Sequence, residues 1–171
     1  REDPMRILRE NSPELYQKYQ RGLQLSKELK IRAANNLCRS YAPTGKAEEF
    51  IEMVGNGKFF VNMFIGANST GKTATGANVV ANIVYGPQNK YFEYELFQKF
   101  PYIKRGRIVS DPTSIKEKII PELKKWFPKN DADEIPEATY QTAKEGSNFE
   151  RKFRTNNGWE IDLMSNEQDV K

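Results

Sequence analysis

Histidine is absent from the 171 residues of this chain, and cysteine occurs once, at Cys38. Without histidine, Ser-His and Cys-His nucleophile pairs and every His-based zinc site are excluded. A single cysteine excludes an intrachain disulfide and a Cys-cluster metal site, and it suits a reducing cytosol. No apolar run reaches the ~18 residues that a membrane span needs, so no membrane partner is expected, and the N-terminus has no signal-peptide pattern. Apolar residues amount to only 37% and mean hydropathy is -0.78, which is low for a complete α/β domain. The chemistry left to the chain must use carboxylates, Lys/Arg, hydroxyls, backbone amides or a bound cation. The 27 Lys+Arg against 23 Asp+Glu leave +4, a mild surplus that permits a polyanionic partner without requiring one. The first residue is Arg1, as expected of an excised or processed piece.

The pattern along the chain predicts helix through the first forty residues. Ser12-Pro13-Glu14 is a start signal, with a proline whose missing N–H costs nothing at the first position and an acid in the first turn. Tyr41 to Gly45 breaks this segment through Pro43 and Gly45, and a helix over Lys46–Met53 follows. Phe59 to Ile65 is the most apolar run, and its aromatic and β-branched content predicts a buried central strand. A helix is expected over Lys72–Tyr85. Tyr91 to Tyr102 is aromatic and ambiguous, more a packing patch than a platform for stacking bases. Arg107 to Ser110 reads as a short strand, and Asp111-Pro112-Thr113-Ser114 caps a helix whose inner face is Ile115, Ile119, Leu123 and Phe127. Residues 128–136 form an acidic loop. Strands are expected near Ala138–Lys144 and Trp159–Leu163, with Asn156-Asn157-Gly158 as a hairpin turn after Lys152-Phe153-Arg154. The sum is an α/β fold in two parts: an N-terminal helical segment, residues 1–40, and a domain over 41–171 with a mostly parallel sheet and crossover helices.

Residues Gly66-Ala67-Asn68-Ser69-Thr70-Gly71-Lys72-Thr73 match G-x-x-x-x-G-K-[ST], between an expected strand and an expected helix. That context is what a P-loop requires. Glycines at 66 and 71 allow torsions that turn main-chain N–H groups inward, and the helix start behind them attracts an anion. In this reading Lys72 reaches the β/γ-phosphates of ATP and stabilises charge during transfer, and the Thr73 hydroxyl ligates Mg2+. Gly76 either admits a close approach of a neighbouring strand or is simply a tolerated small residue. Hydrolysis also needs an apolar strand ending in Asp or Asp-Glu, and none is convincing. Asp111 follows only two apolar residues and reads as a helix cap. Glu160 and Asp162 alternate with Trp159, Ile161 and Leu163 as the polar side of a half-buried strand. Part of the sheet, the acidic metal-binding strand included, is therefore expected beyond Lys171.

An ordered series of segments resembles the large subunit of the tailed-bacteriophage DNA-packaging terminase. Tyr41-Ala-Pro43-Thr-Gly45-Lys46-Ala-Glu-Glu-Phe50 is similar to that family's adenine-side segment. The P-loop with its trailing Gly76-Ala77 and then Tyr85-Gly86-Pro87 follows. Asn157-Gly158-Trp159-Glu160-Ile161 through Ser165-Asn166-Glu167-Gln168-Asp169 resembles the strand and polar turn that precede its acidic strand. The resemblance implies an incomplete P-loop NTPase fold of the RecA/ASCE-like kind, and an ATP- and Mg2+-dependent motor that moves double-stranded DNA into a capsid. It also implies a homo-oligomeric ring, a portal protein and a small terminase subunit as partners, and action in the host cytoplasm during infection. Position by position, residues 66–73 become nucleotide-binding, with Tyr41, Pro43 and Lys46 on the adenine side. Ala47 departs from the glutamine the family often carries beside that lysine. The family's nuclease half has no counterpart here. Without the acidic strand, this chain is expected to bind nucleotide better than it hydrolyses it. Lys104-Arg105-Gly106-Arg107 and Arg151-Lys152-Phe153-Arg154 are either DNA-facing or trans-acting clusters, or solvated turn charge. Other readings of the whole are a different P-loop translocase or helicase, and an assembly module that binds nucleotide without turnover.

Overall fold

The computed structural model describes residues 4–59, 61–67, 70–98, 104–129, 140–145 and 149–165. They belong to two compact units, Arg1–Ala34 and Asn35–Lys171. The first unit is helical. Helix α1 covers Pro4–Asn11, and α2 covers Pro13–Asn35, running one residue into the second unit. Pro13 takes the first position of α2 with Glu14 in its first turn, the arrangement predicted from Ser12-Pro13-Glu14. The Leu15, Tyr19 and Leu23 series lies on α2, and all three side chains are exposed. No helix among the described residues is long and apolar enough to cross a membrane.

The second unit begins with a short 3-10 turn, Leu37–Ser40, then α3 (Gly45–Asn56) and α4 (Lys72–Tyr85). A 3-10 turn at Lys90–Phe92 and the four-residue α5 (Glu95–Gln98) follow. Strand β1 is Arg105–Ser110. It leads into α6 (Pro112–Ser114), a π-helical turn at Ile115–Ile119 and α7 (Ile120–Trp126). Pro121 lacks the N–H that would extend a regular ladder at this point, and the Ile120 N–H closes instead on the Ile115 carbonyl, five residues back. Strands β2 (Tyr140–Ala143), β3 (Lys152–Thr155) and β4 (Glu160–Ser165) complete the sheet.

The sheet order is β1-β4-β3-β2. Only β1 and β4 run parallel, whereas β4 with β3 and β3 with β2 are antiparallel. The fold is α/β as expected, but the sheet is mixed and not mostly parallel. The cause is local: Asn156-Asn157-Gly158 turns the chain straight back, with Gly158 at φ +89° and the Gly158 N–H donating to the Thr155 carbonyl at 2.9 Å. The Asn157 side chain then donates to the Val84 carbonyl at 2.7 Å, tying the hairpin to the end of α4.

A second expectation fails at Phe59–Ile65. None of its described residues lies in a strand, and Phe59, Val61, Met63 and Ile65 are 60%, 72%, 71% and 82% exposed. A buried central strand needs hydrogen-bonding neighbours on both sides as well as apolar side chains, and no described strand pairs with this run. Phe64 finds a partner in Phe50, stacked at 5.0 Å.

Helix α4 holds the unit together because it is buried on two sides. Ala77, Ala81 and Val84 join Ile115, Ile120, Leu123 and Phe127 and the sheet residues Phe153, Ile161 and Leu163 in the main core, which also encloses Cys38. Val79 meets Ile51, Phe92 and Phe97 in a smaller core against α3 and α5. Phe92 and Phe97, from the ambiguous aromatic stretch, are thus packing residues; Phe100 and Tyr102 lie outside the described residues. Three of the four side chains expected on the inner face after Asp111 are buried, and Ile119 packs at the edge. Burial pushes the Cys38 thiol up to about 12, so it stays protonated and donates to the Trp126 carbonyl at 2.8 Å. The acidic loop at 128–136 lies outside the described residues from position 130 onward.

Asp111 caps its helix as expected, accepting from the Ser114 N–H at 2.8 Å. The Ser114 hydroxyl first, and the Ser114 N–H with it, hold the Asp111 carboxyl below its ordinary 3.8. A depressed carboxyl stabilises the fold above its unfolded value and loses that contribution as pH falls through the folded one. Asp111→Ala should therefore lower the melting temperature at neutral pH, and Asp111→Asn, also a good cap, should lower it less. The gap between wild type and Asp111→Ala should close as pH drops below ~4. A gap that persists in strong acid would contradict the cap's charged character.

Candidate functional site

The glycine-rich segment wraps the start of α4. Gly71 is the residue before the helix, at φ +81°, a left-handed conformation that side chains resist. Its carbonyl accepts both the Thr75 N–H at 2.8 Å and the Thr75 hydroxyl at 3.0 Å. The first N–H groups of α4 have no acceptor inside the helix and carry its positive end.

Lys72 folds back over this turn. Its Nζ donates to the Gly66 carbonyl at 2.6 Å and the Ala67 carbonyl at 2.5 Å, with the Thr70 hydroxyl at 3.4 Å. The Thr70 hydroxyl in turn donates to the Ala67 carbonyl at 2.8 Å. A Cβ at Gly66 would sit 3.0 Å from the Thr70 hydroxyl oxygen, so the loop is narrow where the motif demands glycine. One ammonium group is therefore enclosed by main-chain oxygens at a helix N-terminus. The Thr73 side chain is exposed beside it. Asn68 and Ser69 lie outside the described residues.

The residues expected on the adenine side divide. Lys46 and its neighbour Thr44 share a cavity of about 490 Å³ with Phe64, Ile65, Gly66, Thr70 and Gly71, so the Tyr41–Lys46 segment and the glycine loop do face one space. Lys46 is exposed and pairs with Glu49 at 2.9 Å. Pro43 is half-buried and does not line that cavity. Neither does Tyr41, whose hydroxyl meets the Thr75 hydroxyl at 2.8 Å and whose ring packs edge-on to Trp126 at 5.2 Å. Thr44, Phe64, Ile65 and Thr75 are site residues that the motif did not single out. Thr44 stands inside the quoted adenine-side segment, Phe64 and Ile65 end the apolar run before the loop, and no sequence signal marks Thr75.

On the far side of the α4 start lies an apolar slot of about 310 Å³, lined by Lys72, Thr73, Gly76, Ala77, Val80, Ile108, Ile119 and Leu123. Gly76 opens onto space, with nothing within 4 Å of an added Cβ. Of its two readings, the tolerated small residue is the one the packing supports.

The carboxylates near the sheet are committed elsewhere. Asp111 caps α6. Glu160 accepts from Arg154 at 3.0 Å and pairs with Lys152 at 3.2 Å, and these two cations hold its carboxyl below the ordinary range. Asp162 lies 3.5 Å from the Lys152 ammonium. Among the described residues no group of three or more metal-ligating side chains is assembled. In the two basic clusters, Lys104 donates to the Asn157 carbonyl at 2.5 Å and Arg105 pairs with Glu160 at 3.3 Å. Lys152 and Arg154 are bridged by Glu160 and Glu145. Arg107 is exposed and meets no carboxylate among the described residues. Arg105, Lys152 and Arg154, three of the six cations, are thus neutralised by carboxylates beside the sheet. Comparison with protein-family models, with curated proteins and with solved structures finds no match to this chain.

Proposed function

We propose that residues 66–73 bind the phosphates of ATP with Mg2+, and that the chain is the ATP-binding portion of a DNA-packaging motor of the terminase large-subunit kind. The observation that carries the phosphate site is the Lys72 ammonium held by the Gly66 and Ala67 carbonyls at the N-terminus of α4. Those carbonyls are weak, neutral partners for a cation. Phosphate oxygens carry charge and make the stronger bond, so polyphosphate draws Lys72 away and takes the N–H groups of the helix start as well. In this reading the exposed Thr73 hydroxyl would hold the metal, which when bound would neutralise phosphate charge. The shared cavity of Lys46 and Gly71 leaves room for the nucleoside beyond the phosphates.

The pairing of Glu160 and Asp162 with Lys and Arg favours a chain that binds nucleotide and supplies no activating carboxylate of its own from the described residues. Double-stranded DNA would meet this protein through phosphate contacts, for which Arg107 is the most available member of the two basic clusters. Isothermal titration should show Mg2+-dependent ATP binding with little or no turnover. No heat of binding at millimolar ATP would overturn the phosphate site, and robust hydrolysis by the chain would overturn the assignment of its carboxylates. DNA binding should be indifferent to sequence and fall steeply with added salt. Salt-insensitive, sequence-selective binding would contradict a motor's grip on backbone.

A further inference from the structure

Tyr41 is separated from the cavity its neighbours line, and the reason is a hydrogen bond whose direction can be worked out. A hydroxyl has one proton to give. Thr75 reaches the Gly71 carbonyl at 3.0 Å, and both contacts are satisfied together when Thr75 donates there and the Tyr41 hydroxyl is the donor across the 2.8 Å contact. Burial raises the Tyr41 hydroxyl above its ordinary 10.0, which keeps that proton in place at neutral pH. Gly71 is held by the Thr75 N–H as well as its hydroxyl, so the phosphate loop keeps its shape whether or not Tyr41 donates. What the bond adds is a tie between two segments distant in sequence: α4 and the stretch from Tyr41 to Lys46.

That stretch is stiff. Asn89 donates to the Cys38 carbonyl at 2.6 Å, the Tyr41 N–H donates to the same carbonyl at 3.3 Å, and Pro43 limits the backbone between Tyr41 and Thr44. Thr44 then starts α3, its carbonyl accepting the Glu48 N–H at 2.8 Å. A displacement at Tyr41 is therefore passed on to Thr44 and Lys46, which face Gly66, Thr70 and Gly71 across the cavity. We infer that Tyr41 is a positioning residue: its hydroxyl, through Thr75, holds the Thr44–Lys46 wall at a fixed distance from the phosphate loop, and so sets affinity for the nucleoside part of the ligand without touching it. The inference rests on the nucleotide reading above.

The test compares Mg-ATP with Mg-tripolyphosphate, which has the phosphates and no nucleoside, by isothermal titration. Tyr41→Phe keeps the ring against Trp126 and removes only the donor. It should weaken ATP measurably, by up to roughly tenfold, the ceiling set by one net hydrogen bond, and leave tripolyphosphate unchanged. Thr75→Val removes the same bond from the other side, and in that background Tyr41→Phe should cost nothing further. Thr75→Ser keeps the acceptor and should keep ATP affinity. An unchanged ATP affinity in Tyr41→Phe overturns the inference, as does an equal loss for both ligands, which would place the hydroxyl's effect on the phosphate loop. A wild-type chain that binds tripolyphosphate as tightly as ATP overturns the inference and leaves the phosphate site standing. A wild-type chain that binds neither overturns the phosphate site and the inference together.

Discussion

Lys72→Ala should weaken Mg-ATP binding by roughly 10–150-fold, the range for hydrogen bonds to charged groups, and leave the melting temperature close to that of wild type. The two halves of this expectation come from different observations. Lys72 is the cation enclosed by the glycine loop, so its loss removes the side-chain charge facing the phosphates and leaves only main-chain dipoles to hold them. Its partners are carbonyls of the exposed residues Gly66 and Ala67, which water satisfies when the ammonium is gone, so no buried group is orphaned. Titration calorimetry and thermal melting of the same samples separate the two effects. Wild-type affinity in the variant would remove Lys72 from the site. A collapse of the fold would show that the ammonium is a structural prop and not a ligand-binding group.

Phe153→Ala should cost about 3–5 kcal/mol of stability, measured as a fall in the urea midpoint at an unchanged slope. Phe153 is fully buried on β3, with its ring 5.9 Å from Phe127 in an edge-on contact and 5.4 Å from Tyr140. Phe127 and Tyr140 contact each other at 5.7 Å, so the three rings close on one another. Removing the central ring leaves a cavity that these neighbours cannot fill without giving up their own contacts. Small domains hold only about 5–15 kcal/mol in total, so the variant should lie near its unfolding transition at 37 °C. Phe153→Leu keeps most of the volume and should cost about 1.5 kcal/mol or less. Equal losses for Ala and Leu would show that the ring's aromatic contacts, and not the filled volume, carry the stability.

Several features were legible because one short stretch of chain contains everything they need. The Asp111 cap requires an acceptor, a proline and the N–H three residues on, all within Asp111–Ser114. The Asn156-Asn157-Gly158 turn requires only a residue tolerant of positive φ, supplied by Gly158. The glycine loop is of the same kind: Gly66, Gly71 and Lys72 lie within seven residues at the start of α4. The inner face of Ile115, Leu123 and Phe127 followed from helical spacing, even across the π-helical turn.

What failed to be legible depended on partners elsewhere in the chain. Phe59–Ile65 has the composition of a central strand, but pairing is a property of neighbours, and β1, β3 and β4 pair among themselves without it. The hairpin that returns β4 antiparallel to β3 is local and was legible; that β1 then joins β4 in parallel is the part of the sheet that depends on distant pairing. The resemblance puts Tyr41, Pro43 and Lys46 together on the adenine side, although of the three only Lys46 lines the shared cavity. Sequence alone determined the elements whose hydrogen bonds close within a few residues, the turn that opens α4 among them. Tertiary structure decided which strands meet, which cations are already neutralised and which side chains share a space, because contacts between distant segments depend on how all of them pack at once.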